Sequence, residues 1–172
     1  MLPNFITQPD PLIYLKGNYL VVDFETHNNN KGDARNFNNN IIYGNIFSPT
    51  KGMYSILSLD DLAALKDLFL SADFVIAHHV KFEAKWLLRA GIPIHRILFY
   101  DTMLGEYCIA GNRSFDLDLD SCLIRYGLAP KDSYVSRQIK AGVCPSTIAL
   151  STVRNYCKVD VQQTHELFLK QV

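Results

Sequence analysis

The six residues Tyr19 to Phe24 (YLVVDF) constrain this chain more than any others. The run is rich in β-branched and aromatic residues and apolar at both alternating sets of positions, so it predicts a central strand covered on both faces. Such a strand belongs to a layered sheet with helices packed on it. An aspartate, Asp23, stands inside the run, and a carboxylate in such a place has to be offset by something.

The rest of the chain supplies the layers. His27 to Asn40 (HNNNKGDARNFNNN) is polar and Asn-rich and reads as a loop. IIYGNIF and MYSIL read as two strands joined by the turn Ser48 to Gly52. Asp60 to Phe69 carries acidic residues in its first turn and an apolar stripe of Leu62, Leu65, Leu68 and Phe69, which predicts an amphipathic helix. The strand FVIAH follows, then a helix from about Lys81 to Ala90, then a short strand ILFY ending at Asp101. MLGEYCIA, LDSCLIRYG and Thr152 to Gln171 have helical periodicity. Strands first, then alternation, then a helical tail predict an α/β fold, a mixed β-sheet flanked by helices.

Composition bounds the function classes. The 172 residues, 48% of them apolar, suffice for a single domain with a substantial core, about 19–170, and polymerase motifs are absent. Lys plus Arg equal Asp plus Glu at 17 each, which excludes a general basic field, so any nucleic-acid contact must be local. Cys108, Cys122, Cys144 and Cys157 form no C-x-x-C pair, and no further ligand accompanies His78 and His79 at zinc spacing. The Pro-punctuated start has no basic segment followed by an apolar run, and no window is a candidate membrane span, so the expectation is a soluble, cytoplasmic protein without a membrane partner.

Three short segments carry chemistry. In Asp23-Phe24-Glu25 the period-2 geometry of a strand puts both carboxylates on one side. Like charges so placed are tolerated by a raised pKa or by a bound divalent cation. Glu83 lies at the start of the helix after FVIAH, where the helix dipole alone would favour an acid by about 0.3–1 kcal/mol. Tyr156 and Asp160, four residues apart, share one face of the last helix. Each segment alone has an ordinary structural explanation.

Taken together, in this order and spacing, they resemble the DEDDy 3′→5′ exonucleases with the ribonuclease-H-like fold, notably the proofreading domains of A-family DNA polymerases. Asp23 and Glu25 match the first motif, His79 to Glu83 the second, and Tyr156 to Asp160 the third. Asp101-Thr102-Met103-Leu104 and Leu117 to Gly127 extend the resemblance to roughly residues 19 to 170. The chain departs from the pattern at two positions, with His79 and Glu83 where the family usually has Asn and Asp.

The resemblance implies a 3′→5′ exonuclease acting on the 3′ ends of DNA, mainly single-stranded, with two Mg²⁺ or Mn²⁺ ions that clamp the attacking and leaving oxygens. Asp23, Glu25, Glu83 and Asp160 would hold the metals, Tyr156 would orient the attacking water, and Thr26, His79 and Phe82 would contact substrate. A separately encoded DNA polymerase is an implied partner. An RNA-trimming enzyme of the ribonuclease D type and a catalytically weakened module that binds DNA ends or docks to a polymerase are the alternatives. Lys85 and Arg89 read as a solvated helix face rather than phosphate contacts.

Overall fold

The computed structural model describes residues 17–111, 113–130 and 134–172; the Pro-punctuated start lies outside them. The fold is α/β. Five strands, β1 (Tyr19–Thr26), β2 (Ile41–Ser48), β3 (Gly52–Ile56), β4 (Phe74–Ala77) and β5 (Phe99–Asp101), form one sheet in the order β3-β2-β1-β4-β5. The hairpin strands β1, β2 and β3 pair antiparallel, whereas β4 joins β1, and β5 joins β4, in parallel. This is the mixed sheet of a ribonuclease-H-like arrangement, with β1 at its centre.

Seven helices are present among the described residues: α1 (Leu59–Ala64), α2 (Lys66–Ser71), α3 (Val80–Arg89), α4 (Thr102–Ala110), α5 (Leu119–Arg125), α6 (Tyr134–Lys140) and α7 (Leu150–Gln171). None is long and apolar enough to cross a membrane. The four cysteines are unbridged.

The alternation of β1 sorts the core into two layers. Leu20, Val22 and Phe24 pack with Leu62, Phe69, Trp86 and Leu87 of α1 to α3. Tyr19 and Val21 face the other way, onto Val161 and Phe168 of α7. Asp23 and Glu25 continue that second row, because side chains two apart on a strand share a face. The sheet thus aims both carboxylates at the flank occupied by α7.

Several elements differ from the sequence reading. The helix expected over Asp60 to Phe69 is split at Leu65, whose N–H bonds the Leu62 carbonyl at 3.1 Å in a tightened turn before α2 begins. The loop after β1 contains a left-handed turn, with Asn30, Lys31 and Gly32 at φ 49°, 57° and 71°. It is clamped by Arg89, whose guanidinium Nη1 donates to the carbonyls of Ala34, Asn36 and Asn39 at 2.8 to 3.3 Å. Arg89 is therefore a structural clasp rather than a solvated face. Helix α6 is an addition that the reading of the sequence omitted. A signal for it exists: Val135 and Ile139 are apolar at i, i+4, and Gly142, in the left-handed region at φ 87°, follows its end.

Candidate metal centre

The carboxyl end of β1, at the centre of the sheet, is where ligand sites of open α/β folds gather. Here Asp23 and Glu25 of β1 meet Asp160 of α7, and one carboxylate oxygen from each lies within 4.8 Å of the others. A register shift in the β1–β2 pairing falls between Glu25 and Thr26, next to this point. The Cys157 thiol donates to the Asp23 carbonyl at 3.3 Å, which ties α7 to β1 one turn before Asp160.

Glu25 and Asp160 are buried, so the repulsion among these anions is poorly screened. It is on the order of a few kcal/mol per pair at an effective dielectric constant of about 20. Three hard oxygen donors at this spacing form a set that could hold a metal ion.

Glu83, in the first turn of α3, is 4% exposed. It lies outside the group of three, yet burial first, and then the charges of Asp23, Asp101 and Glu25, push its carboxyl well above its ordinary value. Its Oε2 is buried and has no hydrogen-bond partner among the described residues.

Tyr156 lies half-buried one turn before Asp160. Burial, followed by the negative charge of Glu25 and Asp23, drives its phenol far above the usual range. The phenol is therefore neutral at any physiological pH. It can orient a water but not deprotonate one.

Two cavities flank the carboxylates. One, of about 410 Å³, has Glu25 and Thr26 on one side and the apolar surfaces of Phe24, Phe82, Ile139 and Pro145 on the others. Gly32 is required at its rim: it sits at φ +71°, and a Cβ there would come within 2.8 Å of the Thr26 hydroxyl and 3.1 Å of the Phe82 ring. The second cavity, of about 210 Å³, is polar and is lined by Asp23, Asp160, Tyr156, Ser136, Lys140 and His78 among others. Helix α6 borders both, through Ile139 on one side and Ser136 and Lys140 on the other.

Of the residues singled out from the sequence, Asp23, Glu25 and Asp160 come together, Tyr156 and Glu83 adjoin them, and Thr26 and Phe82 line the larger cavity. His79 lines neither cavity. It is exposed at the N-cap of α3, in the left-handed region at φ 75°, and its N–H donates to Asp101 Oδ1 at 3.0 Å. Its neighbour His78 reaches the smaller cavity instead, held by Thr102 Oγ1 and by the Leu117 carbonyl, each at 2.9 Å. With both ring nitrogens engaged, His78 is a structural tie rather than a metal ligand. Sequence reasoning missed Ser136, Lys140 and His78, the first two because they ride on α6.

No protein-family model and no curated protein matches this chain, so the site is read from its own geometry.

Proposed function

We propose that the chain is a metal-dependent 3′→5′ exonuclease that removes nucleotides from the 3′ ends of single-stranded DNA. The observation that carries this reading is the convergence of Asp23 and Glu25 from the central strand with Asp160 from the last helix. It is the arrangement that the resemblance to DEDDy exonucleases leads one to expect.

The donor set fits the expected cations. All candidate ligands are hard carboxylate oxygens, which suit Mg²⁺ or Mn²⁺, and the partnerless buried Oε2 of Glu83 is an acceptor that such a cation would satisfy. Asp23, Glu25 and Asp160 would hold one ion, and Glu83 would help to hold the second beside Asp23. Bound there, the two cations would supply Lewis-acid stabilisation to the attacking and leaving oxygens of an in-line phosphoryl displacement.

The chain's own residues do the remaining work. The neutral phenol of Tyr156 orients the attacking water by hydrogen bonding. The 410 Å³ cavity, with Phe82 and Phe24 on its walls and Thr26 beside Glu25, takes the terminal nucleoside. Lys140 at the smaller cavity and Lys31 at the larger one supply local positive charge for phosphates in a chain of zero formal net charge. The left-handed backbone at position 79 supports the same reading, since Asn, usual there in the family, and His both tolerate that conformation better than most residues.

Digestion of 3′-labelled and 5′-labelled single strands, with Mg²⁺ or Mn²⁺ and with excess chelator, tests the proposal. The expected result is immediate release of a 3′ label and stepwise shortening of a 5′-labelled strand, both abolished by chelator. Degradation that persists in chelator, or none with either metal, would overturn it.

A further inference from the structure

Phe37 is, at 84%, the most exposed large apolar side chain among the described residues, and its ring is not loose. The guanidinium carbon of Arg89 lies 5.3 Å from the Phe37 ring centroid and 5.1 Å from that of the buried Trp86. Arg89 also holds the carbonyls of Asn36 and Asn39, on either side of residue 37, at 3.3 and 2.8 Å. The loop therefore presents the ring to solvent with a cation against it, which leaves a π face open to a planar partner. We propose that Phe37 is a stacking platform for a base of single-stranded DNA, a few nucleotides ahead of the 3′ end. The inference rests on the exonuclease reading and adds to it a contact outside both cavities and outside the motif residues.

Place and charge both point to a nucleic-acid strand as the partner of this ring. Phe82, on the wall of the larger cavity, and Arg89 stand seven residues apart on α3, so they share a face of the helix and lie about 10 Å apart along its axis. That distance is about three base steps of roughly 3.4 Å. A strand whose terminal nucleoside fills the cavity and which runs along α3 thus brings about its fourth base to Phe37. Buried Asn39 fixes the loop between the two places: its Nδ2 donates to the carbonyls of Asn29 and Asp33 at 2.7 and 3.0 Å, on either side of the Lys31 and Gly32 that line the cavity. The loop over 27–40 and α3 together carry Lys31, Arg35, Lys81, Lys85 and Arg89 against Asp33 and the buried Glu83, a local basic excess in a chain of zero formal net charge. An aromatic face beside charge that suits phosphates is how single strands are held without reading their sequence.

The test separates binding from cleavage. In chelator, Phe37→Ala should bind an oligothymidylate of about eight nucleotides about 5- to 100-fold more weakly than wild type, the scale of one lost base–aromatic stack. Phe37→Trp should restore the affinity and Phe37→Leu should not, because leucine supplies apolar area without a π face. A dinucleotide, too short to reach the ring, should bind wild type and all three variants alike, and Phe37→Ala should keep the wild-type melting temperature, since the ring it removes is exposed. A 2-aminopurine placed in turn along the longer strand reports stacking by fluorescence; its change on binding should be greatest about four positions from the 3′ end and vanish in Phe37→Ala. Equal affinity of wild type and Phe37→Ala for the longer strand, or the same loss for both lengths, would overturn the proposal. So would a wild type that dimerises in sedimentation and separates in Phe37→Ala with DNA binding unchanged, which would make the ring a protein contact. A Phe37-dependent signal in a protein that releases no nucleotide with Mg²⁺ or Mn²⁺ would overturn the exonuclease reading and uphold the platform, whereas cleavage by a protein whose signal does not depend on Phe37 would do the opposite.

Discussion

Two glutamates in this fold are buried to almost the same degree, Glu106 at 3% and Glu83 at 4% exposure, and their surroundings are opposite. Glu106 on α4 receives Arg125 Nε at 2.9 Å and Gln171 Nε2 at 3.2 Å, so it ties α4 to α5 and α7. Its charge also helps to hold the Tyr126 phenol up at about 12, after burial as the larger cause. Glu83 has Asp23, Asp101 and Glu25 for neighbours and an Oε2 without a hydrogen-bond partner among the described residues. Burial alone therefore does not mark a working carboxylate. On the exonuclease reading a buried acid whose neighbours are other acids does, because a bound cation would satisfy it.

The largest effect that separates the two regions is on turnover. Asp23→Ala or Asp160→Ala should reduce exonuclease turnover by several orders of magnitude while thermal stability in chelator holds or rises, since a like charge has been removed. Single-turnover cleavage and a melting curve on the same sample check both halves.

Glu106→Ala should do the reverse. It strips the partner from Arg125 and Gln171 and should lower unfolding stability by about 2–4 kcal/mol in urea denaturation. Any remaining folded protein should show the same dependence on metal concentration as wild type. A changed metal dependence would break the division between structural and working carboxylates.

Between these lies Tyr156→Phe, which removes only a hydroxyl, and a loss of roughly 10- to 1000-fold in kcat is expected. Because the wild-type phenol is held far above the usual range, the rate should show no decline attributable to its ionisation up to pH 10. An unchanged rate in the variant would return Tyr156 to an ordinary helix face.

The sequence made much of this legible and left specific parts dark. The two-sided apolar run with Asp23 inside it announced a central strand, and the period of 2 put Glu25 beside Asp23. The four-residue step from Tyr156 to Asp160 put both on one face of α7. What could not be read were relations between elements. That Glu83 stands outside the group of three depends on how α3 leaves β4. That His78 rather than His79 reaches the cavity follows from the left-handed turn at residue 79. Helix α6 was missed because seven residues carry little periodicity, and with it went Ser136, Lys140 and one wall of each cavity.

The smallest expected effect is on the metal-free protein. The folded-state value of Glu83 is raised above its ordinary 4.5, so the native state binds this proton more tightly than the unfolded chain does. The corresponding stabilisation is fully present below pH 4.5 and is lost as pH rises through the raised value. Glu83→Gln should therefore raise Tm in chelator, on the order of a few degrees near neutral pH, with the gain vanishing toward pH 4. A gain independent of pH would mean that the glutamate is not held protonated by its neighbours.

The most direct test of the claim that Glu83 awaits a cation is a Mn²⁺ titration of wild type, Glu83→Gln and Glu83→Asp, with free Mn²⁺ read by electron paramagnetic resonance and single-turnover cleavage measured on the same samples. The account expects wild type to bind two ions, Glu83→Gln to lose the weaker one together with most of its activity, and Glu83→Asp to fall between them. Equal binding and equal metal dependence of cleavage in all three would contradict it.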